Sequence, residues 1–240
     1  MNKENNKILI TGGGSGIGLG LTERFLQNNN TVIICGRRED VLIETKKKYP
    51  QIIIKRCNLE TETDRIELFE WISKEHNDLN VLINNAGIQN WMDISDNTFI
   101  EKSKKEIEIN VMAPMHLTHL FINLPKLNTI INVTSGLCFV PLTKVPVYSA
   151  TKAFLRSFTL SLRYLLKARN IEVIEIIPPA LNTDLGGKGL HDEYPPVSEF
   201  IESIFQQLED GKNELSFGTS AFSSKANSEA ILPIFNRMNP

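Results

Sequence analysis

The chain has 240 residues, 41% of them hydrophobic and 22% charged, enough apolar side chain for one substantial core. A net charge of -2 and a pI near 6.1 leave no basic footprint of the kind that phosphate-backbone binding needs, so nucleic acid is not an expected partner. The polar start MNKENNK runs directly into ILI without a signal-like apolar region, and no run of about 20 apolar residues follows, so the expectation is a soluble cytoplasmic protein with no membrane partner.

Short runs rich in β-branched residues recur along the chain: KILIT (7–11), TVIICG (31–36), IIIKRC (52–57), NVLIN (80–84), TIINVT (129–134), IEVIEII (171–177) and, more weakly, ELSF (214–217). Helix-length segments separate them. Near-continuous apolar strands alternating with helical connections predict a doubly wound α/β fold: one domain over 1–240, a mostly parallel sheet of about seven strands, and helices on both faces.

Directly after the first run comes TGGGSGIG, Thr11 to Gly18. Glycines at 12, 16 and 18 let a tight turn bring backbone amides and a helix N-terminus against a pyrophosphate. The second run ends in CGRRED. A protein preferring NAD places a carboxylate at that strand end for the adenosine ribose, whereas Gly36 stands there and Arg37 and Arg38 follow. A guanidinium fork pairs with the 2′-phosphate found only on NADP, with Arg37 the main contact and Ser15 a second one. Glu39 and Asp40 read as first-turn residues of the next helix, and Lys46 to Lys48 as a solvated helix face.

Cys35, Cys57 and Cys138 form neither a CxxC motif nor an even framework, which points to reduced, mostly buried thiols. His116 and His119 lie three apart without further donors, so no metal is expected. In PVYSATKAFLRSFTLSLRYLLKAR, Tyr148 precedes Lys152 by four residues, about 40° apart around a helix, so both can reach one ligand. An ammonium there would lower the phenol's pKa. The same helix is apolar on more than one side, with Ala150, Phe154, Phe158, Leu162 and Leu165 against Leu155 and Leu166, which predicts a second subunit in a homodimer or homotetramer. Residues 181–198 lack periodicity and read as a mobile lid. The final NSEAILPIFNRMN reads as a short helix with Pro233 near its first turn.

Taken in order, T-G-x-x-x-G-x-G (Thr11 to Gly18), N-N-A-G (Asn84 to Gly87), a lone Asn110, Ser135 and Y-x-x-x-K (Tyr148, Lys152) resemble the short-chain dehydrogenases/reductases in their short, single-domain branch. INVTSGLCFVPLTKVPVYSATKAFLRSFTLSLR, IIPPALNTDL and the terminal IFNRMN are similar to a subset of oxidoreductases labelled DltE-like. The resemblance implies a Rossmann fold and the interconversion of a carbonyl and a secondary alcohol on a small or medium-sized substrate. Tyr148 would be general acid or base, Lys152 its partner and a ribose contact, Ser135 a donor to the substrate oxygen, and Asn110 the holder of a relay water in a bent helix. NADP(H) is expected in preference to NAD(H), contacted by Gly12, Gly14, Ser15, Gly16, Ile17, Gly18, Arg37, Arg38, Asn58, Leu59, Asn85, Ala86, Gly87, Tyr148, Lys152, Pro178 and Thr183.

The chain departs from the family pattern at Pro178-Pro179, where Pro-Gly is usual, and at Asn58, where an Asp is usual. Leu137, Phe139, Trp91 and Leu142 are candidates for an apolar pocket wall. Two other functions remain open at this point: a nucleotide-sensing module without turnover, and an epimerase or dehydratase of the longer-chain branch, whose extra substrate domain is lacking here.

Overall fold

The computed structural model describes residues 1–239. Seven strands, β1 (Lys7–Thr11), β2 (Thr31–Gly36), β3 (Ile53–Arg56), β4 (Val81–Asn84), β5 (Thr129–Val133), β6 (Glu172–Ile177) and β7 (Glu214–Ser216), form one parallel sheet in the order β3-β2-β1-β4-β5-β6-β7. The five inner strands β2, β1, β4, β5 and β6 are almost wholly buried because helices cover both faces, which is why their runs read as mostly apolar without alternation, while the edge strands β3 and β7 are only partly buried.

On one face, Ile8, Ile10, Val32, Ile34, Ile131 and Ile174 pack against Leu21 and Phe25 of α1 (Gly16–Gln27), Leu42 of α2 (Glu39–Lys48) and Phe200, Ile204 and Phe205 of α7 (Val197–Glu209). Phe25 and Phe205 meet edge to face at 4.9 Å. On the other face, Leu9, Ile33, Leu82, Ile130 and Val173 meet α3 (Glu62–Glu75), α5 (Ala113–Phe121) and α6 (Pro146–Leu165). One stretch, Phe99 to Phe121, runs as α4 (Phe99–Ile107), a π-helical turn (Glu108–Met112) and α5. The chain ends with α8 (Gly218–Ser223) and α9 (Ser228–Met238).

The sheet order reverses between β1 and β4, the first two strands to be joined across its middle. Connections from their C-terminal ends diverge to opposite faces there and open a crevice. No helix among the described residues is long and apolar enough to cross a membrane.

β1 and β2 span the predicted runs, and the other five strands are shorter than their runs by one residue at an end, β3 at both, as fraying termini are. Two other expectations need correction. Pro233 lies inside α9 rather than near its first turn, and the helix start is fixed instead by Asn227, whose side chain accepts from the amide of Ala230 at 3.0 Å. Residues 197 and 198 belong to α7, and the remainder of 181–198 is a succession of turns tied internally: the amide of Asn182 donates to Pro195 O (2.9 Å) and its side chain to Asp192 O (3.0 Å). His116 accepts from Nε of the buried Arg65 at 3.1 Å.

Candidate active site

The turn between β1 and α1 is built by close approach. Gly12 and Gly16 have φ of +67° and +50°, and a Cβ on Gly18 would stand 2.2 Å from the carbonyl oxygen of Gly12. Hydrogen bonds fasten this turn to the segment after β4. Oγ1 of Thr11 accepts from the amides of Asn85 (2.9 Å) and Ala86 (3.0 Å), and the Asn85 side chain donates back to Thr11 O at 2.8 Å. Thr183 closes the other side, lying 3.4 Å from where a Cβ on Gly16 would be.

The crevice is a cleft of about 1470 Å³ lined by every residue predicted to contact a cofactor, together with Ser135. Arg37, Arg38, Asn58 and Leu59 stand at one end, the glycine turn in the middle, and Ser135, Tyr148 and Lys152 beyond it. Arg38, rather than Arg37, is the arginine beside the glycine turn, with Nη2 donating to Ser15 Oγ at 3.4 Å. Asn58 Oδ1 faces the amide of Glu60 at 3.4 Å, a long bond that leaves it able to accept another donor.

The four residues expected to do chemistry come from three places in the fold. Ser135 follows β5, and its Oγ accepts from the amide of Leu137 at 3.1 Å, so it caps a short 3-10 turn as well as facing the cleft. Tyr148 and Lys152 share one face of α6, which opens with Pro146 in its first turn. Lys152 Nζ donates to Val133 O at 2.8 Å and lies 5.6 Å from the centroid of the Tyr148 ring. Asn110 sits in the π-helical turn, behind the cleft lining. Its Oδ1 accepts from the amide of Ile88 (2.9 Å), and its Nδ2 donates to Ile88 O (2.8 Å) and Thr151 Oγ1 (3.2 Å). The predicted helix distortion is therefore present, and the Asn110 side chain is occupied in bracketing Ile88.

Electrostatics at this end run against the expected lowering of the phenol. Burial pushes the Tyr148 phenol up, a hydrogen bond from Ser135 partly counters it, and the charge of Glu106 adds to the rise. The same burial brings Lys152 down to about 8. Desolvation outweighs the mutual effect of the pair because both groups are enclosed and the ammonium is aimed at a carbonyl. At neutral pH the site presents a protonated phenol, a proton donor.

Leu137, Trp91 and Leu142 line the cleft beyond Tyr148 as expected. Phe139 does not; it lies under the Arg156 guanidinium at 4.4 Å. Sequence inspection missed Lys144 and Arg237, which line the outer end. They are brought there by Asn239, whose side chain accepts from the amide of Thr143 (2.7 Å) and donates to Pro141 O (3.1 Å), latching α9 beside the 141–145 loop. Nothing local in either stretch signals that contact across about a hundred residues.

The cleft's cations are Arg37, Arg38, Lys144, Lys152 and Arg237, and among the described residues Asp184 is the one carboxylate of its lining. With exposed backbone amides at the glycine turn, an elongated anionic dinucleotide fits these residues.

A parallel sheet with a glycine-rich turn at its switch point and a Tyr-Lys pair beside it defines a dinucleotide-dependent oxidoreductase class. The family description "short chain dehydrogenase" matches residues 6–193, and the chain belongs to that family. It is 44% identical over 227 residues to the uncharacterized oxidoreductase DltE of Bacillus subtilis, covering 90% of this chain and 89% of that one. It is 30% identical over 177 residues to the NADP-dependent 3-hydroxy acid dehydrogenase YdfG of Escherichia coli, covering 71% of each. A short-chain dehydrogenase from Burkholderia cenocepacia, crystallised in complex with NADP, superimposes with a TM-score of 0.86 over 99% of both chains at 22% identity.

The depressed Lys152 has a stability consequence. Because its folded pKa of about 8 lies below the unfolded value, the unfolded chain binds more protons between about pH 8 and 10.4, and stability from this group rises with pH across that window. Below it, the buried charge costs about 3 kcal/mol, less whatever the Val133 bond returns. Lys152→Met should therefore be more stable than the wild type at pH 7 by about 2 kcal/mol in urea denaturation, with the gap closing by pH 10. A variant equally or less stable at pH 7 would show that the ammonium is not buried at a cost.

Proposed function

We propose that this protein reduces a carbonyl to a secondary alcohol, or the reverse, with Tyr148 as the proton donor or acceptor and NADP(H) as the cofactor. The observation carrying this is the placement of the Tyr148 phenol, enclosed beside Lys152 and Ser135 in the same cleft that Arg37, Arg38 and the glycine turn line. When bound, NADPH supplies the hydride. Ser135 orients the substrate oxygen by a hydrogen bond, where charge develops, and Tyr148 delivers the proton to it. Lys152, one helical turn from the phenol and held by Val133 O, would hydrogen-bond the cofactor's nicotinamide ribose. Asn110 keeps the Ile88 segment, and with it Gly87, against this end of the cleft. Tyr148→Phe should lower kcat at least tenfold and leave the NADPH dissociation constant unchanged, since general acid catalysis is worth roughly 10² to 10⁴-fold. Retention of more than about a tenth of wild-type kcat would remove Tyr148 from the role.

Preference for NADP(H) over NAD(H) is supported by the arginines after β2, by the absence of a carboxylate at Gly36, and by the NADP named for the E. coli relative and the Burkholderia structure. Both arginines are exposed, and Arg38 is already against Ser15. NADPH is expected to bind at least about tenfold tighter than NADH, a difference of roughly 1.4 kcal/mol, and Arg37→Ala/Arg38→Ala to erase most of that gap. Equal affinities in a fluorescence titration of the wild type would contradict the assignment.

The outer end of the cleft favours a substrate with an anionic group remote from its carbonyl. Leu137, Leu142 and Trp91 give an apolar passage, and Lys144, 5.5 Å from the Trp91 ring centroid, and Arg237 stand at its rim. A keto acid should show a kcat/KM at least about tenfold above its methyl ester, and Lys144→Ala/Arg237→Ala should level the two. An ester turned over as well as its acid by the wild type would refute the rim's role.

A homodimer or higher oligomer is the fitting assembly. α6 buries Leu155 and Leu162 against the sheet yet leaves Phe154 and Leu165 exposed at 43% and 65%, with Met112 of the neighbouring π-helical turn also exposed. An apolar face of this kind on a helix already covered on its other side supports a subunit contact there. Light scattering at micromolar concentration should give a mass of at least twice 27.1 kDa, and Phe154→Glu should shift it towards the monomer. A wild type that stays monomeric would contradict this.

A further inference from the structure

Glu175 is an acid in the middle of β6, EVIEII, flanked by apolar residues on both sides, and unlike Glu172 at the strand start it is 0% exposed. It stands opposite Asn132 in the β5–β6 register, on the face covered by α6. Its two oxygens are used in different directions. Oε1 accepts from Thr134 Oγ1 at 2.7 Å, and Oε2 is ion-paired with Arg156 Nη1.

Both partners are neighbours of the site. Thr134 immediately precedes Ser135. Arg156 follows Lys152 by one helical turn and Tyr148 by two, so the three lie in one row along α6. Arg156 is itself held, with its guanidinium 4.4 Å from the Phe139 ring centroid and Nη2 3.6 Å from Glu214. Glu175 thus joins the strand end that carries Ser135 to the helix that carries Tyr148.

Stability alone gives no reason for this arrangement. Removing two charges from water costs several kcal/mol per ion, and replacing such a pair with apolar side chains is often neutral or stabilising. Burial accordingly raises the Glu175 carboxyl above the usual carboxylate range, against the opposing hydrogen bond from Thr134 and the charge of Arg156.

We propose that Glu175, paired with Arg156, is a positioning residue that fixes the Ser135 hydroxyl relative to the Tyr148 phenol. The inference rests on the roles given above to those two hydroxyls. Without the bridge, the β5 end and α6 remain packed but lose the constraint that aligns the two groups. A misplacement of about 1 Å in such a site is worth on the order of 10²-fold in rate.

Two variants test this. Glu175→Gln keeps an acceptor for Thr134 and loses the ion pair. Glu175→Met/Arg156→Met removes both charges together, so no lone buried charge unfolds the chain. With ¹³Cζ-labelled tyrosine, the Tyr148 resonance, assigned by Tyr148→Phe, should move in the double variant in the same direction as in Ser135→Ala, in protein free of cofactor and substrate. In turnover, kcat should fall about tenfold in Glu175→Gln and about 10²-fold in the double variant, while the NADPH dissociation constant and the melting temperature stay close to wild type. A folded double variant with an unmoved Tyr148 resonance and wild-type kcat would overturn the proposal. If the wild type turns over no carbonyl compound, the proposed function fails, and the Tyr148 resonance still decides whether Glu175 sets the hydroxyl geometry.

Discussion

Burying the Lys152 ammonium is the constraint on which the rest of the site depends. The charge is held by the carbonyl of Val133, the last residue of β5, and is depressed by burial to about 8. That bond ties α6 to the strand end beside Tyr148 and Ser135. It is an arrangement that costs stability and is compensated by the two apolar cores on either side of the sheet, where Phe25, Phe121, Phe200 and Phe205 are wholly enclosed.

The sheet supplies the location. β1 and β4 are neighbours whose connections leave towards opposite faces, and the crevice this opens is sealed at its floor by Thr11 and Asn85, each bonded to the other's segment. The glycine turn can then sit close against α1, and the π-helical turn at Asn110 lets one long helix pass behind the same end without losing the bonds to Ile88. Backbone geometry shapes the middle of the cleft, and side chains from four separate stretches give its two ends their positive charge.

Much of this was legible in the sequence because it is local. Seven apolar runs with helical spacers give a parallel doubly wound sheet, and the glycines of TGGGSGIG are required by bonds and contacts within the turn. Tyr148 and Lys152 share a helix face by spacing alone. What could not be read is what depends on distant partners. Arg38 rather than Arg37 reaches Ser15 because α2 begins at Glu39 and turns the chain there. The phenol is raised, not lowered, because burial is a property of the packed site. Lys144 and Arg237 meet the cleft only through Asn239. Glu175 alone left a local signal, a carboxylate in the apolar middle of a strand, and its meaning comes from Thr134 and Arg156, 41 and 19 residues away.

The most direct test of the account is to follow the transferred atom. NADPH carrying deuterium at the transferred position, incubated with the protein and a keto acid, should give an alcohol with one deuterium on the carbinol carbon by mass spectrometry, in amount equal to the cofactor oxidised. Cofactor consumption without deuterium on that carbon, or no consumption across a panel of ketones and keto acids, would contradict the assignment of this cleft to carbonyl reduction.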